Sequence, residues 1–306
     1  MSRRCWKRLS SVFVIALAGM LASFAQAADF SAERITEYLL LITGPSGNTL
    51  VAEDSDGLIL IEGVPPQLAD AYLAFVRETS GQDRIKTLVH SHWHPESAGL
   101  NASLAGDTDI IVQANTRQWL AATIRKRGEE ILHRPVPKAQ LPTTTFHDTL
   151  SLPFRGGSIE LGHLLQAHTD GDLYAYFPAQ DVLFTGPAVR SDGWAVVDES
   201  TNGWMGGLMD ALDQLSALVT EDTRIVPVSG PVLDQRGFAS QNTMYKALMA
   251  EMVALLRKSL SAEEVVSKDP ATALMPAWGD ASAFLDQGFR SFYGHLRDAR
   301  HVGAMP

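Results

Sequence analysis

The sequence predicts a layered α/β domain that ends in a helical C-terminal extension. Three observations carry that reading. Short β-like runs crowd the first third of the chain, separated by Gly, Asn, Asp and Ser turn signals. Strand-like and helix-like segments then alternate without a repeat or a low-complexity linker to divide them. The last strand-like run gives way to a long stretch with apolar residues at helical spacing. With 306 residues, 45% hydrophobic and 20% charged, the chain has ordinary globular composition. It can bury a large core without staples, and layered α/β folds of about 250 residues commonly form one unit. The expected division is a signal segment over 1–28, a main domain over 29–260 and a helical extension packed on it over 261–306.

The elements follow in order. Arg3, Arg4, Lys7 and Arg8 precede an apolar run over 12–24, and Ala25-Gln26-Ala27 supplies a small-x-small cleavage site. The apolar run is shorter than the ~20 residues of a spanning helix, so cleavage is expected rather than anchoring. That implies export across the inner membrane to the periplasm, with no stable membrane anchor afterwards. The single cysteine, Cys5, leaves with the signal, so neither a disulfide nor a thiolate metal ligand is expected. Four basic residues and no acidic ones leave too. The 25 basic residues become 21 against 35 acidic, and net charge moves from −10 to −14. Such acidity argues against a nucleic-acid partner and leaves a small-molecule substrate as the expectation.

Strands are expected over 36–43, 49–53 and 58–62, then a helix after Pro65-Pro66 with Leu68, Tyr72, Phe75 and Val76 on one face. The apolar run 85–89 leads straight into His90-Ser91-His92-Trp93-His94. A strand over 109–112 precedes a helix expected from about 115 to 132, and three prolines mark 134–142 as loop. Strands resume at 158–161, 173–177, 182–184 and 224–228. The final helical stretch places Met244, Leu248, Met252, Leu255 and Leu256 on one face, a stripe that reads as core packing.

Chemistry begins at His92-Trp93-His94. In extended chain, side chains two apart point the same way, so both imidazoles can face one ion. A third imidazole would complete a four-coordinate zinc with one position open to substrate. The pair alone does not establish a site; it needs a partner from elsewhere in the chain.

Four segments supply the wider pattern. Ser91-His92-Trp93-His94-Pro95-Glu96-Ser97-Ala98-Gly99-Leu100-Asn101 resembles the metal-binding loop of the metallo-β-lactamase superfamily, H-x-H-x-D-H with a following Gly-containing turn. Ala167-His168-Thr169-Asp170-Gly171-Asp172 resembles the segment with that family's third histidine. Leu183-Phe184-Thr185-Gly186 resembles the strand before its bridging aspartate, and Ile225-Val226-Pro227-Val228-Ser229-Gly230 resembles the segment with its last histidine. Upstream, the stretch from Gly57 to Gly63 resembles a hairpin strand that ends in a buried acid, here Glu62. The landmarks stand in the family's order across roughly 36–232. The resemblance implies a four-layer αββα sandwich of the metallo-β-lactamase type, with His92, His94 and His168 on one metal.

The departures lie on one side. Glu96 and Ser97 stand where the family has Asp and His, Pro187 where it has the bridging aspartate, and Ser229 where it has the last histidine. The resemblance therefore implies a single metal ion, zinc or alternatively iron, with Ser97, Pro187 and Ser229 as lost second-metal positions. Glu96 is read as the catalytic base, with metal ligation or loop ordering as alternatives. His90 and Glu62 are read as groups bonded around the ligands, His90 having fourth-ligand status as its alternative. Trp119 and Trp204 read as packing residues or groove walls, and Arg190 as a solvated arginine or an anion contact. Three functions stay open. One is an exported mono-zinc hydrolase of a small ester, lactone, lactam or phosphoester. Another is a non-catalytic zinc-binding or partner-binding protein. The third is an iron-dependent oxygenase or sulfur-handling enzyme.

Overall fold

The computed structural model describes residues 29–126, 130–155 and 157–302, so the expected signal segment lies outside the described residues. Strands β1 (Ser31–Thr36), β2 (Leu39–Gly44), β3 (Gly47–Asp54) and β4 (Gly57–Ile61) form an antiparallel meander. Helix α1 (Ala69–Ser80) then crosses to β5 (Ile85–Val89), which pairs parallel with β4. Two short helices, α2 (Pro95–Ala98) and α3 (Asn101–Leu104), lead to β6 (Asp109–Gln113), parallel to β5.

Next come helix α4 (Ala114–Leu120), a small hairpin of β7 (Ile124–Lys126) and β8 (Glu130–His133), and β9 (Thr144–Phe146), which closes the first sheet beside β6. The second sheet runs β10 (Thr149–Phe154), β11 (Gly157–Leu164), β12 (Asp172–Phe177), β13 (Val182–Phe184) and β14 (Arg224–Val226), the last pair parallel. Helix α5 (Met205–Ser216) joins β13 to β14. Helices α6 (Gln235–Arg257), α7 (Ala262–Lys268) and α8 (Ser282–Val302) follow.

Strand alternation explains the layers. Leu39, Leu41, Ile59 and Ile61 point inward against Leu173, Ala175 and Phe177 of the second sheet, whereas Leu40, Ile42, Leu58 and Leu60 point outward onto Tyr72, Leu73 and Val76 of α1. The second sheet repeats the device, with Phe184 and Val226 inward and Leu183 and Ile225 outward onto the helical layer. Strands buried on both faces become near-continuous apolar runs, as Leu58 to Ile61 shows. The stripe on α6 packs as read: Leu248, Met252 and Leu255 are buried in the same cluster as Phe284, Leu285 and Phe289 of α8. The helical extension thus shares a core with the second sheet. No helix among the described residues is long and apolar enough to cross a membrane.

Two expectations are corrected: the strand read over 36–43 starts only at Leu39, after Glu37 and Tyr38 turn the chain from β1, and a helix ends early. The helix read from about 115 to 132 stops at Leu120, and the chain becomes the β7–β8 hairpin. Ile124 is buried beside Trp93, Ala98 and Leu120, a cluster that a continuing helix would not serve in this way. The β-branched residues Thr123, Ile124 and Ile131 suit extended backbone better than helix. Strands β9 and β10 escaped the reading because their apolar residues are few and interrupted by polar ones and Pro153.

Candidate metal centre

The end of β5 delivers His90 and Ser91, and the chain then bends so that Pro95 opens α2 with His94 as its N-cap. Trp93 is buried and packs edge-on against His94 with ring centroids 4.2 Å apart, its indole N–H donating to Thr201 Oγ1 at 3.1 Å. His92 and His94 meet across the gap between them, and the turn after β11 brings in His168. The three ring centroids lie 4.8–5.0 Å apart, and one ligand nitrogen from each falls within 4.8 Å of the others. His94 Nδ1 and His168 Nε2 approach to 2.9 Å. His92 Nε2 is buried and has no hydrogen-bond partner.

Each imidazole is held at its other nitrogen. Ser91 Oγ donates to Glu62 Oε2, which leaves it to accept from His92 Nδ1 at 3.0 Å and keeps the Nε2 lone pair free. His94 Nε2 donates to Asp198 Oδ2 at 3.1 Å, and His168 Nδ1 donates to the Val196 carbonyl at 2.9 Å. Such outer partners fix tautomer and ring orientation in metal sites. Asp198 is itself fixed by Thr201 Oγ1 at 2.7 Å and the Ser200 amide at 2.9 Å. Its own N–H donates to the His168 carbonyl at 2.6 Å. The approach is close enough that Gly203 has room for no side chain, since a Cβ there would sit 1.9 Å from that carbonyl.

Electrostatics favour a cation. Burial pushes His168 down to about 3, so it stands as the neutral imidazole a metal requires. Burial would also lower His92, but Glu96, Glu62 and Asp172 raise it instead. Burial would raise Glu96, yet the His92 and His94 imidazoles bring it down to about 2 and keep it ionised. Its Oε1 lies 3.8 Å from His92 Nε2 and 3.6 Å from His94 Nδ1, with the side chain half-exposed. A buried orphan nitrogen, two converging imidazoles and this negative surround fit a metal ion.

The remaining predicted residues sit as follows. Glu62 is buried at the end of β4 with φ of +77°, a left-handed conformation unusual for a side-chain-bearing residue. It accepts from Ser91 Oγ, Ser97 Oγ and the Gly63 amide. Ser97 is fully buried and also accepts from the Ser91 amide at 3.1 Å and the His92 amide at 3.3 Å. His90 is fully buried; Nδ1 donates to the His92 carbonyl at 2.9 Å and Nε2 accepts from Asn101 Nδ2 at 3.3 Å. Both its nitrogens are thereby used. Pro187 is buried in the turn Gly186–Ala188, and Ser229 donates to Asp192 Oδ2 at 2.5 Å. Arg190 is bound to Asp192 at 3.2 Å. Trp119 donates to Asp170 Oδ1 at 2.5 Å, and Trp204 stacks on His295 of α8.

Sequence reading missed Asp198 and the loop around it. No motif marks that segment, and Asp198 lies 104 positions from the imidazole it holds. Asp172, in the Asp170-Gly171-Asp172 run that resembles a common turn of the family, accepts with its carboxylate from the His168 and Thr169 amides and shapes the turn that presents His168.

Two cavities open on the three histidines. One of about 380 Å³ lies towards Pro187, Arg190 and Ser229. The other, about 1210 Å³, runs along His94 and Trp204 to α8. Glu96, His168 and Val196 border both.

The model of the metallo-beta-lactamase superfamily matches residues 42–230, more than half of the chain. The chain belongs to that superfamily. A metallo-beta-lactamase from Pontibacter korlensis is similar in structure, with TM-score 0.58 and 16% identity over 71% of this chain and 99% of that one. DIM-1 metallo-beta-lactamase gives TM-score 0.56 at 17% identity, over 72% and 98%. FIM-1 from Pseudomonas aeruginosa in its mono-zinc form gives 0.56 at 15%, over 72% and 96%. At such identities the likeness concerns the fold. A search of curated proteins finds no match.

Proposed function

We propose that the chain is an exported metal-dependent hydrolase that holds one zinc ion on His92, His94 and His168 and acts on a small ester, lactone, lactam or phosphoester. The observation that carries this reading is the buried, unpartnered His92 Nε2 beside the two other converging imidazole nitrogens. A buried polar atom without a partner is costly, and a metal ion would satisfy it. Export is supported by the basic, apolar and small-residue pattern over 3–27.

Zinc bound there would polarise a substrate carbonyl or phosphoryl group, and water, as a Lewis acid at neutral pH. The chain's own groups do the rest. Ser91, Asp198 and the Val196 carbonyl hold the imidazoles in orientation. Glu96, half-exposed and bordering both cavities, is placed to take a proton during attack on the substrate. A second reading rests on the same carboxylate. With Oε1 within 4 Å of two ligand nitrogens, Glu96 could join the histidines as a ligand and suit iron, for oxygenase or sulfur chemistry.

The test is hydrolysis of a panel of esters, lactones, lactams and phosphoesters by the metal-loaded protein and by a His92→Ala/His94→Ala variant of measured stability. Metal-dependent turnover of at least one class, lost in the variant, is the expected result. Oxygen-dependent turnover with iron bound would favour the second reading. Metal bound with no turnover of any class would contradict the hydrolase and leave a zinc-binding or partner-binding protein.

A further inference from the structure

The segment from Arg190 to Asp198 lies between the metal centre and the C-terminal helices. It has no helix or strand over 191–198, so its buried backbone groups need partners outside the segment. Trp194, Ala195 and Val197 are buried. On the inner side, the Val196 carbonyl accepts from His168 Nδ1 at 2.9 Å. Asp198 Oδ2 accepts from His94 Nε2 at 3.1 Å, and the Asp198 amide donates to the His168 carbonyl at 2.6 Å. Two of the three imidazoles thus take their orientation from one stretch of irregular chain.

Its outer side is held by residues beyond 230, where the family match ends. The Ala195 amide donates to the Tyr245 hydroxyl of α6 at 2.9 Å, one residue before the carbonyl that holds His168. One turn earlier on α6, Gln241 Nε2 donates to the Arg190 carbonyl at 2.5 Å. Trp278 Nε1 donates to the Ser191 carbonyl at 3.2 Å, and Trp194 Nε1 to the Gly279 carbonyl at 3.3 Å. The Trp194 ring stacks on Phe284 of α8 with centroids 5.3 Å apart and meets Trp278 edge-on at 5.1 Å. Tyr245 is fully buried and packs on Trp194, Trp278 and Phe284, so its ring fixes where the hydroxyl sits.

We infer that Tyr245 is a positioning residue of the metal centre. Its hydroxyl fixes the Ala195 amide, and the next residue's carbonyl then stands where it orients His168. Loss of the hydroxyl leaves a buried N–H unpaired, and rotation of that peptide towards another acceptor carries the Val196 carbonyl with it. The effect falls mainly on His168, because the Asp198 carboxylate that holds His94 has Ser200 and Thr201 as further supports. The C-terminal helices are therefore part of the centre rather than an appendage to it. That role rests on the proposed function only in placing a metal on the three histidines; the reaction does not enter.

Cobalt(II), loaded in place of zinc, tests this without turnover, since its visible bands report ligand geometry. Affinity by chelator competition, the visible spectrum and denaturant stability are measured for the unaltered chain, Tyr245→Phe, Trp278→Phe and Val265→Ala. Val265 is buried in the same core on α7 and its side chain makes no hydrogen bond, so Val265→Ala lowers stability alone. Tyr245→Phe should weaken cobalt at least about threefold, short of the 10–100-fold of a direct partner of a ligand, and shift its bands. Trp278→Phe, at a partly buried position, should act in the same direction and by less. Val265→Ala should leave affinity and bands unchanged. Unchanged affinity and bands in both aromatic variants, at lowered stability, would overturn the inference, as would an equal shift in Val265→Ala. If Tyr245→Phe does not fold, Trp278→Phe decides. Failure of the proposed metal site shows separately, as an unaltered chain that binds no cobalt.

Discussion

The two halves of the metal site have been treated very differently by their surroundings. On one side stand His92, His94 and His168, whose outer nitrogens are bonded and whose inner nitrogens converge, one of them buried with no partner. On the other stand Ser97, Pro187 and Ser229. Ser97 is bonded to Glu62 and to two amides, Ser229 to Asp192, and Pro187 is packed in its turn with no side-chain donor to satisfy. One half presents converging nitrogens that could hold an ion; on the other, the serine hydroxyls are bonded to protein groups. Among the described residues, the three-histidine side keeps the donor set that could hold an ion.

Substitutions on each side sharpen the contrast. The largest effect is expected from Ser97→His, which returns the family's usual residue. The site is tightly filled, since Ser97 is fully buried with its hydroxyl bonded to Glu62 and to two amides, and the imidazole must forgo those bonds. We expect a loss of about 2–4 kcal/mol in denaturant unfolding and no second metal bound. A second equivalent of zinc at unchanged stability would break the comparison.

Asp198→Asn acts on the other side. It keeps the shape but removes the charge that accepts from His94 Nε2, and metal affinity should fall about 10–100-fold in competition with a chelator. Unchanged affinity would mean that the His94 contact does not orient the ligand. The smallest effect is expected from Ser229→Ala. Its bond goes to an exposed aspartate, so stability should change by less than about 1 kcal/mol and metal affinity not at all. A weakened metal there would place Ser229 back in the site.

Much of this contrast could be read in the sequence, and for identifiable reasons. The three histidines and the three replaced positions stand in short segments whose order and spacing survive, and β5 and β13 were bounded correctly because they are apolar runs flanked by turn signals. Asp198 was not legible, because it reaches His94 across 104 positions of sequence and belongs to a loop with no periodicity. The hairpin after α4 was misread as helix because amphipathic spacing around Trp119 and Leu120 continues past the point where Ile124 turns into a local cluster. The cavity wall on α8 was equally hidden. Helical periodicity located its buried face but says nothing about which distant residue, here Trp204, the other face meets.

The most direct test is the number of metal ions bound by the purified protein, by elemental analysis and native mass spectrometry after loading with excess zinc and dialysis. One zinc per chain, lost in His92→Ala/His94→Ala, is the predicted result. Two zinc ions per chain would contradict the account, because Ser97, Pro187 and Ser229 put neither an imidazole nor a carboxylate at three of the second-metal positions.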